Sequence, residues 1–489
     1  MNKAGNKISK CIGVLFALYW SYTLLSVFIL ERSAAYRQRS YEYSNFVPAL
    51  LIIALLAVLG WFNRTKMADR IEKSDDRWFY VILILVSAAV LLIQLKCMKY
   101  LARPLKFDFE HVRETAMAIG LDHTFSDQKY FNRYPNNLNI LYVFSMIVRM
   151  FGNWQPVITI GIILVNLSVL LTAQISYKIT GRKLIGFMTM FAGICLYDFA
   201  YRTFTPYTDN YGVLFLVIPL FVFFNKKKGI GWQILSAVSI ALACFIKVTG
   251  AIFLIAGVIV ICCLKLQNKK DFLKKALIFA VIFSAVYAGL NAGMRSCFRD
   301  AGYEQDTEME NGFWHYFMMG QNDVSLGSVY GDDVKFTRSF TAKTERDSND
   351  REEGINRIKN RGISGNLFFY TYKNFQNYND GTFSIVQKLS DGEKFGDSVI
   401  ENIFVKKRPH FRYYALVEQF FWLSALVFIF FTVLPSEKKS AGLFYLKLVI
   451  LGVSAYVLIF ESRAKYLYMF VPVYLILAAI GMKRFLDRK

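Results

Sequence analysis

Apolar and polar positions alternate along this chain in long blocks. Apolar runs lie near 11–30, 46–62, 78–96, 156–176, 183–200, 209–225, 229–246, 249–266, 274–293, 412–433, 441–460 and 465–482. The stretches Cys11–Leu30, Phe46–Phe62, Trp78–Leu95 and Val157–Ala173 hold no charged residue. They approach the ~20 residues that a helix needs to cross a bilayer. In lipid the backbone has no water to bond to, so spans of this length and composition must be helices. The pattern predicts an all-α polytopic membrane protein with about twelve transmembrane helices.

The run Leu138–Phe151 is ambiguous, because it is short and Arg149 interrupts it near its end. Loop charge decides its placement. With the N-terminus inside and 138–151 not spanning, the short inner segments hold 25 Lys and Arg and the short outer ones hold 7. The inner set includes Lys226–Lys228, the cluster at 265–275, and Lys438 and Lys439. Cytoplasmic loops carry such an excess. A thirteenth span would invert every later loop, so 138–151 is expected to be a juxtamembrane helix on the outer face. Its polar face is expected to carry Asn139, Ser145 and Arg149.

This topology divides the chain into five parts. Residues 1–97 hold three spans and 98–156 form an outer loop with juxtamembrane helices and an acidic motif. Residues 157–293 form a six-span core, 294–410 a large extracytoplasmic loop, and 411–489 three final spans. Within the large loop, the charged stretch 341–361 has the composition of a mobile segment. The first apolar run is too long for a signal-peptide core and lacks a small-residue cleavage site, so no cleaved leader is expected.

The formal charge of +22 changes the picture only in its placement. The basic residues sit in short loops, where they orient helices and meet lipid headgroups, so no nucleic-acid partner is expected. The seven cysteines lie mostly in apolar runs, without the spacing of a metal site or a disulfide framework. No Walker A loop, dinucleotide fingerprint, GxSxG or HExxH occurs. No cofactor is therefore implied, though Asp332-Asp333 leaves a divalent cation (Mg or Mn) open.

Candidate chemistry gathers on the outer side, where all four histidines fall. The loop from Phe107 to Asn137 carries Asp108, Glu110, His111, Glu114, Asp122, His123 and Asp127, and ends in Tyr134-Pro135-Asn136-Asn137. Asp108 fits the N-cap of a helix running from Phe109 to Ile119, with Glu110 placed against the helix dipole. It also fits a general base just above the headgroups. The short loop before Asp209 holds Arg202 and the sequence Thr-Pro-Tyr-Thr. There Asp209 reads either as a helix cap or as an ionisable group kept for function. Lys247, Arg463 and Lys465 stand against the charge bias, suited to a phosphate or to interfacial anchoring. The segment from His315 to Gly327 is rich in glycine and amides, which suits turns or sugar hydroxyls.

These motifs together resemble the GT-C superfamily of membrane glycosyltransferases, close to bacterial relatives of protein O-mannosyltransferases and aminoarabinose transferases. The resemblance rests on the acidic first large loop (Asp108, Glu110), the Tyr-Pro-Asn-Asn stretch, the Thr-Pro-Tyr-Thr-Asp209 loop, and Glu461-Ser462-Arg463-Ala464-Lys465-Tyr466. His315-Tyr-Phe-Met-Met-Gly-Gln-Asn322 with Tyr-Pro-Asn-Asn also resembles an integral membrane family of Gram-positive bacteria. Here the acidic loop follows the third span rather than the first, and Asp108-Phe109-Glu110 replaces an adjacent Asp-Glu.

The resemblance implies a hexosyl- or pentosyltransferase in the bacterial cytoplasmic membrane with an extracytoplasmic site. It would move a sugar from a polyprenyl-phosphate donor to a cell-surface glycan, lipid or protein acceptor by a single inverting displacement. It implies Asp108, Glu110 and Asp209 as the catalytic carboxylates, with Asp108 as base and Asp209 as an orienting acid. Arg202, Lys247 and Arg463 would contact the donor phosphate, and His111, Tyr134, Asn136, His315 and Tyr466 would contact substrate. The alternative class is a polymerase, ligase or flippase of lipid-linked polysaccharide. The inverted repeats that mark many transporters are not visible.

Overall fold

The computed structural model describes residues 3–30, 44–102, 106–199, 201–227, 229–264, 269–383, 396, 398–405, 408–433 and 440–488. Of the basic positions counted above, Arg32, Arg37, Arg39, Lys228, Lys265, Lys438, Lys439 and Lys489 lie outside the described residues.

Every apolar run folds as helix, and no strand occurs among the described residues. The helices are α1 (Lys3–Ile29), α2 (Phe46–Phe62), α3 (Lys66–Lys73), α4 (Asp76–Leu101), α5 (Asp108–Asp122), α6 (Gln128–Arg133) and α7 (Leu138–Phe151). They continue as α8 (Gln155–Thr180), α9 (Lys183–Gly193), α10 (Thr208–Phe224), α11 (Ile230–Ile246), α12 (Ala251–Cys263) and α13 (Lys269–Asp300). After these come α14 (Phe313–Gly320), α15 (Gly331–Arg338), α16 (Lys343–Tyr378), α17 (Val399–Phe404), α18 (Phe411–Phe430), α19 (Ala441–Ile459) and α20 (Val471–Leu486).

Among the described residues, seven helices are long and apolar enough to cross a membrane by themselves. The pair α2 and α3, bent by 75°, passes the same test when the two are taken together. The bend has a local cause. Thr65 caps α3 by accepting from the Ala68 amide, and the charged α3 turns away from the apolar α2. Four further apolar helices are shorter: Lys183–Tyr197, Thr208–Phe224, Ile230–Ile246 and Val248–Cys263.

The last helix, α20, is mostly enclosed and packs against α8, α9, α18 and α19, whereas α13 is almost wholly exposed on the periphery. Hydroxyls inside the bundle satisfy themselves locally. Ser168, Thr172, Thr189, Ser424 and Ser454 each donate to the carbonyl one turn back at 2.6–2.8 Å. Asn166 of α8 ties Ser87 and Gln94 of α4 into a buried polar bridge. Small residues allow close crossings, most tightly at Gly481, where a Cβ would fall on the Phe428 carbonyl oxygen.

Polar loop residues sort to two opposite ends. At one end Arg182 meets Asn63 and Asp487, Lys183 pairs with Asp76 at 3.0 Å, and Lys483 donates to the Thr180 carbonyl at 2.6 Å. The other end carries Asp108, Arg202, Asp209, Lys247 and Glu461. There α7 packs against α5 and the start of α8. Its fourteen residues span about 21 Å at 1.5 Å each, short of a ~30 Å hydrocarbon core. The expected polar face of α7 does not form. Ser145 is buried and bonds back to Leu141, Asn139 reaches the Phe245 carbonyl, and only Arg149 is exposed, beside His123.

The charged stretch with a mobile composition is instead regular, forming the first half of α16. Its ordering has a visible source. Arg357 pairs with Asp333 at 2.8 Å and with Glu353 at 2.8 Å, and Arg346 bonds the carbonyls of Thr341 and Glu308.

Candidate functional site

Four separate loops meet at the Asp209 end of the bundle. The first contributes Asp108, which is not the helix cap that its position suggests. The helix begins at Asp108 itself, Phe107 takes the cap position at φ 65°, and no side chain caps the helix. The left-handed backbone at a bulky Phe107 is a strained conformation. The Asp108 carboxylate is thereby free to turn inward, where it accepts from the Tyr130 hydroxyl at 3.0 Å. Asn137 donates to the same Tyr130 oxygen at 2.7 Å, and Tyr207 donates to Asn137 at 2.7 Å. A relay of hydrogen bonds therefore runs from Asp108 to Tyr207, two residues before Asp209. Burial, with Asp108 and Asp209 nearby, holds the Tyr207 phenol well above its ordinary pKa, so it remains a donor.

Asp209 does not act as a helix cap either. It is 1% exposed, and each of its oxygens is held by a cation, one by Arg202 and the other by Lys247. Arg202 does not reach out to water; it is buried, with its guanidinium 5.3 Å from the Tyr468 ring centroid. Lys247 follows α11 in extended backbone, which swings its ammonium under the bundle's end and 5.4 Å from the Tyr466 ring. The charge pattern of this short loop therefore closes on itself.

The fourth loop is 460–463, with Glu461 as a hub. Tyr466 donates to one oxygen of Glu461, while Arg463 and Lys465 stand 3.8 Å from the other. The outer segment holds this loop in place through its backbone. Lys373 donates to the Phe460 carbonyl at 2.8 Å, Gln321 to the Ile459 carbonyl at 3.0 Å, and the Ser462 amide to the Gly327 carbonyl at 2.8 Å. The same layer sends in Tyr316, whose hydroxyl lies 3.3 Å from the Asn136 amide oxygen and within electrostatic reach of Asp108 and Glu461.

The site thus gathers four cations, Arg202, Lys247, Arg463 and Lys465, against three carboxylates, Asp108, Asp209 and Glu461. One positive charge is in excess. Arg202 Nε and Arg463 Nε are buried and have no hydrogen-bond partner. A buried donor left unmade costs about 1–3 kcal/mol, so two of them in one pocket call for an acceptor. Among the described residues no cation forms an ion pair with Asp108, which is only half-buried. The arrangement can hold an anion and offer one carboxylate to a proton.

Of the residues singled out in the sequence, Asp108, Asp209, Arg202, Lys247, Arg463, Tyr134, Asn136 and Tyr466 come together here. His111 stands one step back, stacked on Tyr130 with centroids 4.1 Å apart and paired with Asp127 at 2.6 Å. Glu110 is exposed on the helix surface. His315 faces away, buried in the outer layer against Thr337 at 2.7 Å, which in turn donates to Asp350. Burial pushes its pKa down to about 4, so it is a neutral packing group. Asp332 and Asp333 do not converge on a cation: the first pairs with Lys335, the second with Arg357 and Asn322. No group of three or more potential metal ligands occurs among the described residues.

Sequence reasoning passed over Tyr130, Tyr207, Tyr316 and Glu461 as site residues and left Lys465 between a phosphate contact and an interfacial anchor. Tyr207 and Glu461 lay inside quoted motifs, and their charged neighbours were the available signal.

A family model matches residues 2–486 of the chain, and its description is conserved hypothetical integral membrane protein. The chain belongs to that family. The match covers the bundle and the outer layer, and the membrane-embedded character is that of the family. No curated protein and no solved structure matches the chain.

The buried triad generates a stability prediction. Asp209→Asn strands two cations inside the bundle, and breaking a buried pair this way costs about 3–5 kcal/mol. Thermal unfolding of the purified protein in detergent should show a large loss of midpoint for Asp209→Asn and little for Asp108→Asn. Equal midpoints for the two variants would show that Asp209 is not the electrostatic centre of this end.

Proposed function

We propose that this protein is a glycosyltransferase that moves a sugar from a polyprenyl-phosphate donor to an acceptor hydroxyl at the outer face of the membrane. The carrying observation is that one end of the bundle holds two buried guanidinium Nε atoms without a hydrogen-bond partner and one carboxylate, Asp108, that no cation among the described residues pairs with. The first feature suits a phosphate diester, and the second suits a base for the acceptor.

In this reading Asp108 takes the acceptor proton. The acceptor oxygen bonds to the anomeric carbon, and the bond from that carbon to the phosphate oxygen breaks. The electron pair leaves on the polyprenyl phosphate, a good leaving group that needs no acid. Arg463 and Lys465 hold the phosphate, where Arg463 offers its fork and Lys465 a point charge. Single displacement inverts the anomeric carbon. Asp209 acts at one remove: it orients Arg202 and Lys247 rather than touching substrate. The tyrosines Tyr134, Tyr207, Tyr316 and Tyr466 line the sugar's side with hydroxyls and ring faces. Glu110 and His315 take no part.

The same reading requires the sugar-carrying headgroup to reach the site from the outer leaflet. We therefore place twelve crossings, with both ends and Lys226–Lys227 in the cytoplasm. The sorting of loops to two ends and the loop charges support this. In intact cells, an impermeant thiol reagent should label a cysteine placed at Asn349 and spare one placed at Lys227. Labelling of position 227 would sink the topology.

The activity is tested by incubating purified protein with a panel of polyprenyl-phosphate sugars and following release of polyprenyl phosphate. Asp108→Asn should cut transfer about 10²–10⁴-fold, the range for a lost base, while donor binding persists. Near wild-type turnover would remove Asp108 from the mechanism. Arg463→Ala should weaken donor binding about 10- to 150-fold, from about 1.5–3 kcal/mol for a charge-assisted contact. Arg463→Lys should recover part of it, because a point charge loses the fork. Unchanged affinity in Arg463→Ala would return the residue to a helix anchor.

A further inference from the structure

Helix α16 changes character at Gly362, which breaks it with φ 60° and ψ −168°. The half before Gly362 is densely charged. The half after it, 363–378, has one charged residue, Lys373, whose ammonium is buried on the carbonyls of Gly320 and Phe460.

This second half runs down the side of α1. Tyr22 bonds Thr371, Tyr19 donates to Asn374 at 2.7 Å, Asn374 donates to Thr23 at 3.1 Å, and the Trp20 and Tyr378 rings stand 5.9 Å apart. Going from Thr371 to Tyr378 the partners move away from the Ile29 end of α1. Tyr22 lies seven residues, or about 10 Å at 1.5 Å each, below that end. Leu367 and Phe368, one turn or less above Thr371, are therefore still below it.

At that level Leu367 is 67% exposed and Phe368 63%, and one turn above them Ile363 is 94% exposed. On α1 itself Leu25 and Ile29, at the same level, are also exposed. Further along the half-helix the side chains are buried, among them Phe369, Phe375 and Tyr378. The turn after it is enclosed too, with the Gly381 amide on Gln419 and Asn379 on Gln419 at 3.1 Å.

From these observations we infer that residues 363–383 form a re-entrant membrane segment, whose Leu367 and Phe368 face the acyl chains of one leaflet. The occupant is lipid rather than water or protein, because the exposed face is continuous in depth with the lipid-facing flank of a spanning helix. Polar residues of the segment, Asn374, Asn379 and Lys373, spend their hydrogen bonds inside the bundle. This is the condition for non-spanning backbone at membrane depth.

The test reads lipid contact directly. The protein in nanodiscs, with its cysteines replaced, carries a nitroxide at Leu367→Cys or, for comparison, at Ser348→Cys in the charged half. At Leu367→Cys, collision with oxygen should exceed collision with a water-soluble nickel chelate severalfold, and the ratio should reverse at Ser348→Cys. A ratio at 367 like that at 348 would place the segment in water. Low accessibility to both probes would mean that protein covers it. Either result overturns the inference. The unmodified protein in nanodiscs containing a phospholipid with a diazirine in its acyl chain provides a second measurement. Cross-links on peptides spanning 363–372 are expected, and cross-links confined to the spanning helices would overturn the inference as well.

Discussion

A charge inside a membrane-spanning bundle must find its counter-charge within the protein, and Asp209 does so twice. Taking a carboxylate out of water costs several kcal/mol even after relaxation. The two cations Arg202 and Lys247 come from the loop before α10 and the end of α11, so one carboxylate pins three chain segments at the same end. The aromatic rings of Tyr466 and Tyr468 lie against these cations and add the segment that leads into α20. Since α20 is mostly buried and packs against α8, α9, α18 and α19, this end of the bundle is tied to its core.

On that base the remaining loops are placed by hydrogen bonds rather than by further ion pairs. Asp108 is reached through Tyr130, Asn137 and Tyr207, and the loop with Glu461 and Arg463 is held by backbone carbonyls that accept from Lys373, Gln321 and Gln376. The division has a chemical consequence. Fully paired charges build the frame, while Asp108 and the Arg463 Nε are less engaged. A site of this kind can exchange a proton and hold an anion without unmaking its own scaffold.

The outer layer is more than a cover over this site. Helices α14–α16 bring Tyr316 to the pocket and clamp the 460–463 loop, and the second half of α16 returns into the bundle beside α1. The clamp and the returning helix share residues, because Lys373, Gln376 and Asn377 lie on that helix and bind the loop. Motion of the outer layer and the geometry at Arg463 are therefore coupled through a few buried side chains.

Much of the frame was legible in the sequence. Blocks free of charge can only be helices in lipid, and each apolar run is one. Isolated cations at 202, 247 and 463, set against the loop bias, marked residues that do meet. Other features were decided by packing alone. The position of Asp108 at a helix start reads as a cap, and only Tyr130 on another helix draws its carboxylate inward. His315 in an amide-rich stretch reads as a sugar contact, but Thr337 and burial hold it in the outer layer. The polar stretch 363–383 reads as loop, since its asparagines and lysine appear unaffordable in a membrane until their partners on α1, α18 and α19 are in view. Hydropathy along one chain reports what a segment would cost in isolation, so the sequence determined which segments must be helices. The tertiary structure decided where their polar groups are repaid, because that depends on partners hundreds of residues away.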